Sequence, residues 1–210
     1  MSDRGKGILR RVSSLKAGDY SDEIYDEWAG DYDRDLIEEY GYIAPQIAAE
    51  AFAEYCPDSN VFIIDYGCGT GLAGEQLKRR GYTNIDGLDI SNCMLQEANK
   101  NGVYKKLLAG DLTKTINLAD GSYDAAICVG AFGNGHVEPE HLPEIIRTIK
   151  PEGLIVLYMN GRAYLEDGYA AHFARLEENG TWQIIKTESS NYMNALNRPG
   201  RLVVARRQSE

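Results

Sequence analysis

The sequence predicts an open α/β fold, in which a mostly parallel sheet carries helices on both faces and a helical cap precedes the first strand. Three observations support this prediction. Apolar, strand-like stretches alternate with helix-like stretches from residue 61 onward, the pattern of βαβ units. A glycine-rich turn follows the first apolar stretch, and acidic residues close the next two. Such turns lie at the carboxyl edge of a parallel sheet, where open α/β folds bind ligands.

The elements follow from local patterns of the sequence. Apolar or β-branched runs predict strands at 61–66, 84–89, 105–109, 123–130, 154–159, 182–187 and 201–206. Helical spacing predicts helices at 21–40, 45–55, 72–80, 92–100, 138–150 and 163–178. Ser91 is the expected N-cap of the fourth helix, Pro151 ends the fifth, and Asn179-Gly180 ends the last.

Length and composition indicate a single globular domain. The chain has 210 residues, of which 43% are hydrophobic and 26% charged. It has no apolar run long enough to span a bilayer and no signal-peptide core near its start. We interpret residues 1–18 as a basic tail and residues 19–210 as one domain whose first part, 19–58, forms a helical lid. We expect a cytoplasmic monomer.

Charge and cysteine content exclude some classes of function. Residues 17–58 carry 13 acids and only one basic residue, Arg34, within a net charge of −10. This segment would repel a polyanion, so nucleic acid is a disfavoured partner. We interpret it as a solvated acidic helix face, with steering of a cationic ligand as the alternative. The four cysteines form no C-x-x-C pair, so free thiols are expected and no metal site is.

The stretch DYGCGTG, residues 65–71, raises the question of its ligand. An offset G-x-G-x-x-G begins at Gly69, as in dinucleotide folds, but the strand ending at Tyr66 makes Gly67 the first turn residue, so the register is wrong. Asp65 would repel a pyrophosphate and suits an ammonium or sulfonium cation. Glycines 67, 69 and 71 allow close backbone approach to such a ligand, and a plain tight turn is the alternative.

Two further acids close the next strands. Asp89 can accept hydrogen bonds from ribose hydroxyls, and Asp111 can accept one from an adenine amino group. Either acid alone can serve as a helix N-cap. Met94 and Leu95 follow on the next helix, where they can lie against a purine or belong to the core. The three spaced acids together favour a nucleoside ligand.

These residues resemble those of the class I S-adenosylmethionine-dependent methyltransferases. The resemblance rests on YDEWAGDYD (25–33), DYGCGTG (65–71), GLDIS with ML (87–95), GDL (110–112), YDAAICVGAFGNGHV (123–137) and LPEIIRTIKPEGLIVL (142–157). It implies a Rossmann-like seven-stranded sheet of order 3-2-1-4-5-7-6 with strand 7 antiparallel, and S-adenosyl-L-methionine as cofactor. The cofactor-binding residues that it implies are Tyr25, Trp28, Tyr32, Asp65, Gly67, Cys68, Gly69, Gly71, Asp89, Ile90, Met94, Asp111, Leu112, Val129 and Gly130.

The aromatic residues of the N-terminal segment have two interpretations. Tyr25, Trp28 and Tyr32 share one face of a helix. That face can form a lid over the sulfonium, or it can pack on the sheet.

The acceptor side of the sequence is less informative. His136 follows the fourth strand and is the candidate general base, because its ordinary pKa lies near neutrality; an exposed loop histidine is the alternative. The Asn/Asp-Pro-Pro-Tyr/Phe signature of amide and base-amino methylation is absent there. Tyr192, Met193 and Arg198 can line an acceptor pocket. We expect methyl transfer to a small molecule or a protein side chain; a catalytically inactive cofactor-binding protein and an NAD-dependent oxidoreductase are the alternatives.

Overall fold

A computed structural model of the protein describes residues 28, 31–133 and 137–209, which form one seven-stranded sheet and flanking helices. The strands are β1 (Ile63–Tyr66), β2 (Ile85–Asp89), β3 (Lys106–Ala109), β4 (Tyr123–Val129), β5 (Ile149–Asn160), β6 (Trp182–Met193) and β7 (Arg198–Arg207). Their order is β3-β2-β1-β4-β5-β7-β6. Only β7 runs antiparallel to its neighbours. The predicted order and strand directions are confirmed.

Helices cover both faces of this sheet. They are α1 (Tyr32–Arg34), which continues as a π-helical turn (Asp35–Glu39), α2 (Ala44–Tyr55), α3 (Leu72–Arg79), α4 (Asn92–Lys100), α5 (Leu142–Arg147), α6 (Gly161–Glu166) and α7 (Tyr169–Glu178). Ile63 packs with α2 and α3, whereas its neighbour Ile64 packs with α5 and α7, because successive side chains of a strand point to opposite faces. None of the described helices is both long and apolar enough to cross a membrane.

The fifth predicted helix is shorter than expected. The structure has a 3₁₀ turn at Pro139–His141 and then α5, and β5 already begins at Ile149 rather than at residue 154. The Thr148 hydroxyl donates to the carbonyl of Ile145 at 2.7 Å and closes the helix. Ile149 then pairs with Tyr123 of β4. Ile149 fits the helical period and the strand equally well, so pairing across the sheet decides its conformation.

Two other elements differ from the prediction. Residues 163–178 are two helices, because Gly168 takes a left-handed φ of 82° between α6 and α7. The loop expected between the last two strands is largely a hairpin, in which β6 and β7 pair as far as Met193 and Arg198. Polar side chains such as Ser189 and Ser190 hid these strand residues from sequence periodicity.

The described residues that precede α2, 28 and 31–43, form an N-terminal segment that is attached to the hairpin by backbone contacts. Tyr42 forms an antiparallel bridge with Met193, and the amide of Ile43 donates to the carbonyl of Tyr192 at 3.0 Å. On the other side, the Thr70 hydroxyl donates to a carboxylate oxygen of Asp33 at 2.5 Å. The segment therefore joins the last hairpin to the turn after β1.

The acidic side chains of this segment are not uniformly solvated. Asp35 is only 2% exposed and accepts a hydrogen bond from the indole nitrogen of Trp28 at 3.1 Å. Its other carboxylate oxygen lies 3.2 Å from Arg34. The prediction of a solvated acidic face holds for Glu38, which is exposed, but is wrong for Asp35, because this carboxylate fixes the indole of Trp28.

The carboxyl group of Asp65 is buried at the centre of the sheet. It is 1% exposed, its Oδ2 accepts from the Tyr104 hydroxyl at 2.7 Å, and its Oδ1 is buried without a hydrogen-bond partner among the described residues. Burial raises the pKa of this carboxyl to about 7, although the hydrogen bond from Tyr104 opposes the change. Asp65 therefore titrates near neutrality.

The break at Gly168 predicts an effect on stability. Gly168→Ala should lower the free energy of unfolding by about 1–2 kcal/mol, because alanine is strained in the left-handed region. No atom lies within 4 Å of the new Cβ, so backbone conformation is the only cause. Gly168→Asn should lose less, because asparagine tolerates this region. Urea unfolding of the three proteins measures the difference; equal losses in both variants would contradict the explanation.

The raised pKa of Asp65 predicts a pH dependence of stability. Folding favours the protonated carboxyl, so this contribution is complete below the ordinary pKa of 3.8 and is lost as the pH rises through about 7. Between pH 5 and pH 8 the wild type should lose about 2–3 kcal/mol more than Asp65→Asn, which cannot ionise. Urea unfolding at the two pH values measures this difference. Parallel curves would show that the carboxyl does not change its charge in this interval.

Candidate functional site

The glycines of the turn after β1 differ in what a side chain at each position would contact. A Cβ on Gly67 would lie 2.6 Å from the Cβ of Ala131, and one on Gly71 would lie 3.2 Å from the Tyr104 ring. At Gly69 φ is 53°, and a Cβ there would meet no atom within 4 Å. Packing therefore requires glycine at position 67, and at position 71 a side chain would crowd Tyr104 and strain a backbone with φ of 103°. Gly69 faces open space that a ligand can occupy.

Gly74 explains the offset G-x-G-x-x-G pattern. A Cβ at this position would lie 2.5 Å from the hydroxyl oxygen of Tyr104, the same hydroxyl that donates to Asp65. Glycine is needed here because the phenol must reach the buried carboxylate. The third glycine of the pattern thus serves an internal contact.

Asp89 holds the glycine turn in place. Its Oδ2 accepts from the amide of Gly69 at 2.8 Å, and its Oδ1 accepts from the amide of Ser91 at 2.9 Å. The Ser91 hydroxyl in turn accepts from the amide of Met94, which confirms the predicted N-cap. Each carboxylate oxygen can accept a second hydrogen bond, so Asp89 can bind a ligand hydroxyl while it supports the turn.

The apolar side chains near Asp89 differ in exposure. Ile90 is 47% exposed directly after the strand, whereas Met94 is only 2% exposed and Leu112 is also buried. A ligand ring stacked at this edge would meet Ile90 first. Cys68 is buried within the turn.

Asp111 lies at the end of the third strand, as predicted, and is already hydrogen-bonded. Its Oδ1 accepts from the amide and the hydroxyl of Thr113, and its Oδ2 lies 3.0 Å from the Lys114 ammonium. Burial alone would raise the pKa of this carboxyl, but the contacts with Thr113 and Lys114 together lower it. Asp111 remains an ionised acceptor with part of its capacity used.

A second depression lies beside the glycine turn, at the carboxyl ends of β4 and β5. This aromatic cleft has a volume of about 510 Å³, within the range of small-molecule sites. Its buried surface comes from the N-terminal segment, the strand ends, α6 and the β6–β7 hairpin. The aromatic residues that line it are Trp28, Tyr32, Tyr42, Phe132, Tyr158 and Tyr192.

The aromatic rings of the cleft are arranged edge to face. Trp28 and Tyr32 have ring centroids 4.8 Å apart. Tyr192 contacts Tyr42 on one side and Tyr158 on the other, at 5.9 and 6.0 Å. This packing fixes the rings as rigid walls. Trp28 and Tyr32, which the family resemblance implies as cofactor-binding residues, lie in the lining of this cleft.

The structure brings the glycine turn and the aromatic cleft together at one contact. Gly130 lines the cleft, and the next residue, Ala131, lies against Gly67. Val129 is the last residue of β4. The predictions for Tyr25 and His136 lie outside the described residues.

Some residues of the cleft were found from the sequence and others were not. Tyr192, Met193 and Arg198 line it, as predicted. Tyr158, Asn160 and Arg162 also line it, but Tyr158 belongs to an apolar strand and nothing in its spacing marks it.

Among the residues that the structure describes, no group of three or more His, Cys, Asp or Glu side chains could hold a metal ion. The four cysteines are thiols rather than disulfides, as expected.

Comparison with known proteins supports one family. Residues 64–157 match the family model described as "Methyltransferase domain". The chain is 33% identical to human methyltransferase-like protein 27 over 166 residues, and this alignment covers 76% of this chain and 67% of that protein. It is 44% identical to the Arabidopsis thaliana 18S rRNA (guanine-N(7))-methyltransferase RID2 over 70 residues, and this alignment covers 33% of this chain and 24% of that protein.

Solved structures share the fold at low sequence identity. A methyltransferase in complex with the Haloferax volcanii Trm112 methyltransferase activator superimposes with a TM-score of 0.69 at 19% identity, covering 88% of this chain and 98% of that chain. An S-adenosylmethionine-dependent methyltransferase from Mesorhizobium loti gives a TM-score of 0.59 at 20% identity, covering 75% of this chain and 96% of that chain. With its open glycine turn, its strand-end carboxylate and these relatives, the chain belongs to the class I methyltransferases, enzymes that depend on S-adenosyl-L-methionine as cofactor.

Proposed function

We propose that this enzyme binds S-adenosyl-L-methionine over the glycine turn and transfers its methyl group to a small molecule held in the aromatic cleft. The observation that carries the proposal is the contact between Gly67 and Ala131. It joins the turn to the segment after β4, where the preceding residue, Gly130, lines a cleft of small-molecule size. The cofactor and the acceptor then occupy neighbouring sites at one edge of the sheet.

The described residues fit the cofactor. Open space at Gly69 leaves room for close approach to the backbone. Oδ1 of Asp65 is buried without a partner among these residues, and a carboxylate there favours a nearby cation. Asp89 has acceptor capacity for ribose hydroxyls, and the exposed Ile90 can lie against the adenine. Asp111-Leu112 would meet the adenine edge.

The remaining predicted contacts lie in the protein interior or in the backbone that flanks the turn. Met94 is buried, so it would reach the adenine only from the protein interior. Cys68, Gly71, Val129 and Gly130 belong to the turn and strand end that flank the proposed cofactor site.

When bound, S-adenosyl-L-methionine supplies a methyl group on a sulfonium sulfur, which keeps the electron pair of the broken bond when a nucleophile takes the methyl in line. The chain's own residues align the acceptor and exclude water, and such positioning supplies much of the acceleration. The buried rings of Trp28, Tyr158 and Phe132 provide a dry surface for this purpose.

His136 remains our candidate for a general base. Gly133, three residues earlier in the chain, lines the cleft. On the other side Val137 pairs with Phe132. A base is required only for an acceptor that must lose a proton.

A small-molecule acceptor competes with a protein side chain and with nucleic acid. The acidic composition disfavoured nucleic acid, but the match to an 18S rRNA methyltransferase means that the comparisons do not support this exclusion. An inactive cofactor-binding protein would have the same turn. Incubation of the purified enzyme with methyl-labelled cofactor and separated pools of metabolites, protein and RNA tests all four; label in the metabolite pool supports the proposal, and label elsewhere or nowhere contradicts it.

Cytoplasmic localisation and the monomeric state stay predictions. The basic tail at residues 1–18 lies outside the described residues.

The open space at Gly69 predicts a specific loss of binding. Gly69→Val should weaken binding of S-adenosylhomocysteine at least ~100-fold, because the branched side chain fills the space that the ligand needs. Isothermal titration calorimetry measures this affinity. Gly180→Val is the matched control, since φ is 75° there and no atom lies within 4 Å of the added Cβ.

Gly180 lies between α7 and β6, far along the chain from the turn. Both variants carry backbone strain of about 1–3 kcal/mol, so both should lose similar stability while only Gly69→Val loses affinity. Equal affinities in the two variants would remove the turn from the proposed cofactor site.

A further inference from the structure

The side chains that line the aromatic cleft indicate which kind of acceptor can bind there. This step rests on the proposed function of the site. The walls are rings: Trp28 and Tyr158 are both buried, and Tyr32, Tyr42 and Tyr192 extend the same surface. Edge-to-face packing at 4.8 to 6.0 Å holds them. Rigid aromatic walls bind flat apolar bodies with little loss of side-chain entropy.

Charge at the cleft limits the acceptor further. The charged residues that line it are Arg162, Glu166, Asp167 and Arg198, so their formal charges cancel. Arg162, Glu166 and Asp167 are exposed and belong to the rim. Arg198 is half-buried, and the buried residues of the lining are aromatic or aliphatic. A strongly anionic or cationic ligand would find as many unfavourable charges as favourable ones. The described lining therefore favours an acceptor without net charge.

One hydroxyl lies at the junction of the cleft and the cofactor turn. The Tyr42 oxygen is 3.2 Å from the position of a Cβ on Gly130, the residue before the Ala131 contact with Gly67. None of the hydrogen bonds found among the described residues involves this hydroxyl. Burial and the surrounding phenols of Tyr32, Tyr192 and Tyr158 raise its pKa well above the usual value.

A phenol that stays protonated cannot serve as a base, but it can donate a hydrogen bond. At this position it faces the part of the cleft closest to the cofactor turn. We infer that the acceptor is a flat, uncharged aromatic small molecule whose nucleophilic hydroxyl oxygen is held by the hydroxyl of Tyr42. That oxygen accepts the hydrogen bond with one lone pair and attacks the methyl group with the other, and its proton passes to the general base or to water. Tyr42 is then an acceptor-binding residue.

Binding of a probe tests flatness and charge without need of the natural acceptor. The probe is 2-naphthol, titrated by calorimetry into the enzyme saturated with S-adenosylhomocysteine. Three comparators keep a hydroxyl and change flatness or charge: decahydro-2-naphthol is not flat, 6-hydroxynaphthalene-2-sulfonate is anionic, and 6-(ammoniomethyl)-2-naphthol is cationic. We expect 2-naphthol to bind at least ten-fold more tightly than each comparator. Absence of 2-naphthol binding, or equal or tighter binding of any comparator, would overturn the inference.

Two variants test the role of the hydroxyl. Tyr42→Phe should weaken 2-naphthol binding about five-fold, the effect of one neutral hydrogen bond, with an unchanged affinity for S-adenosylhomocysteine. Tyr55→Phe, which removes a phenol at the end of α2 and outside the cleft, should change neither. Unchanged 2-naphthol affinity in Tyr42→Phe would remove Tyr42 from the acceptor site.

The outcomes separate this inference from the proposed function. If the enzyme transfers label to the metabolite pool, but 2-naphthol does not bind or a comparator binds as tightly, the inference fails and the proposed function stands. If label goes to RNA or to protein, the small-molecule acceptor of the proposed function fails and the inference fails with it. If the wild type does not bind S-adenosylhomocysteine, the proposed function fails and the inference fails with it.

Discussion

The site depends on the close approach of two turns at the centre of the sheet. β1 and β4 are parallel neighbours in register, so their carboxyl ends emerge side by side, and Gly67 lies where any side chain would overlap Ala131. This contact permits the glycine turn and the aromatic cleft to share a wall. A wider separation would leave a cofactor and an acceptor too far apart for direct transfer, because reacting atoms must approach to about 3–3.5 Å.

The N-terminal segment completes the cleft from outside the sheet. It is tied at two ends, by the bridge between Tyr42 and Met193 and by the hydrogen bond between Thr70 and Asp33. One tie joins it to the hairpin and the other to the glycine turn. Because Asp35 is buried and fixes the indole of Trp28, the acidic character of this segment has a structural use. The aromatic residues of this segment are thus connected to the glycine turn through side-chain hydrogen bonds.

A buried carboxylate and a phenol organise the floor of the turn. Tyr104 reaches Asp65 only because Gly74 leaves room for its hydroxyl. The pair explains a glycine that resembles part of a dinucleotide fingerprint but belongs to different chemistry. It also keeps a carboxyl group whose pKa is raised to about 7 at the end of the strand that leads into the glycine turn, where we propose that a cation binds. Occupancy of that site and the charge of Asp65 are then linked, since a cation favours the ionised form.

The sequence by itself determined the strand order of the sheet, through the family resemblance. It also determined where the glycine turn begins and that Asp89 ends the second strand, through the local pattern of residues. Local patterns suffice there because a turn register, an N-cap such as Ser91 and a strand-end acid depend on neighbours in the chain. Tertiary structure decided the end of the fifth helix at Thr148, the length of the last hairpin and the position of Tyr158 in the cleft. These depend on strand pairing and on side chains far apart in sequence, which periodicity does not encode. The positions of Trp28 and Tyr42 in the cleft lining likewise depend on the packing of the N-terminal segment against Met193, which lies far away in sequence.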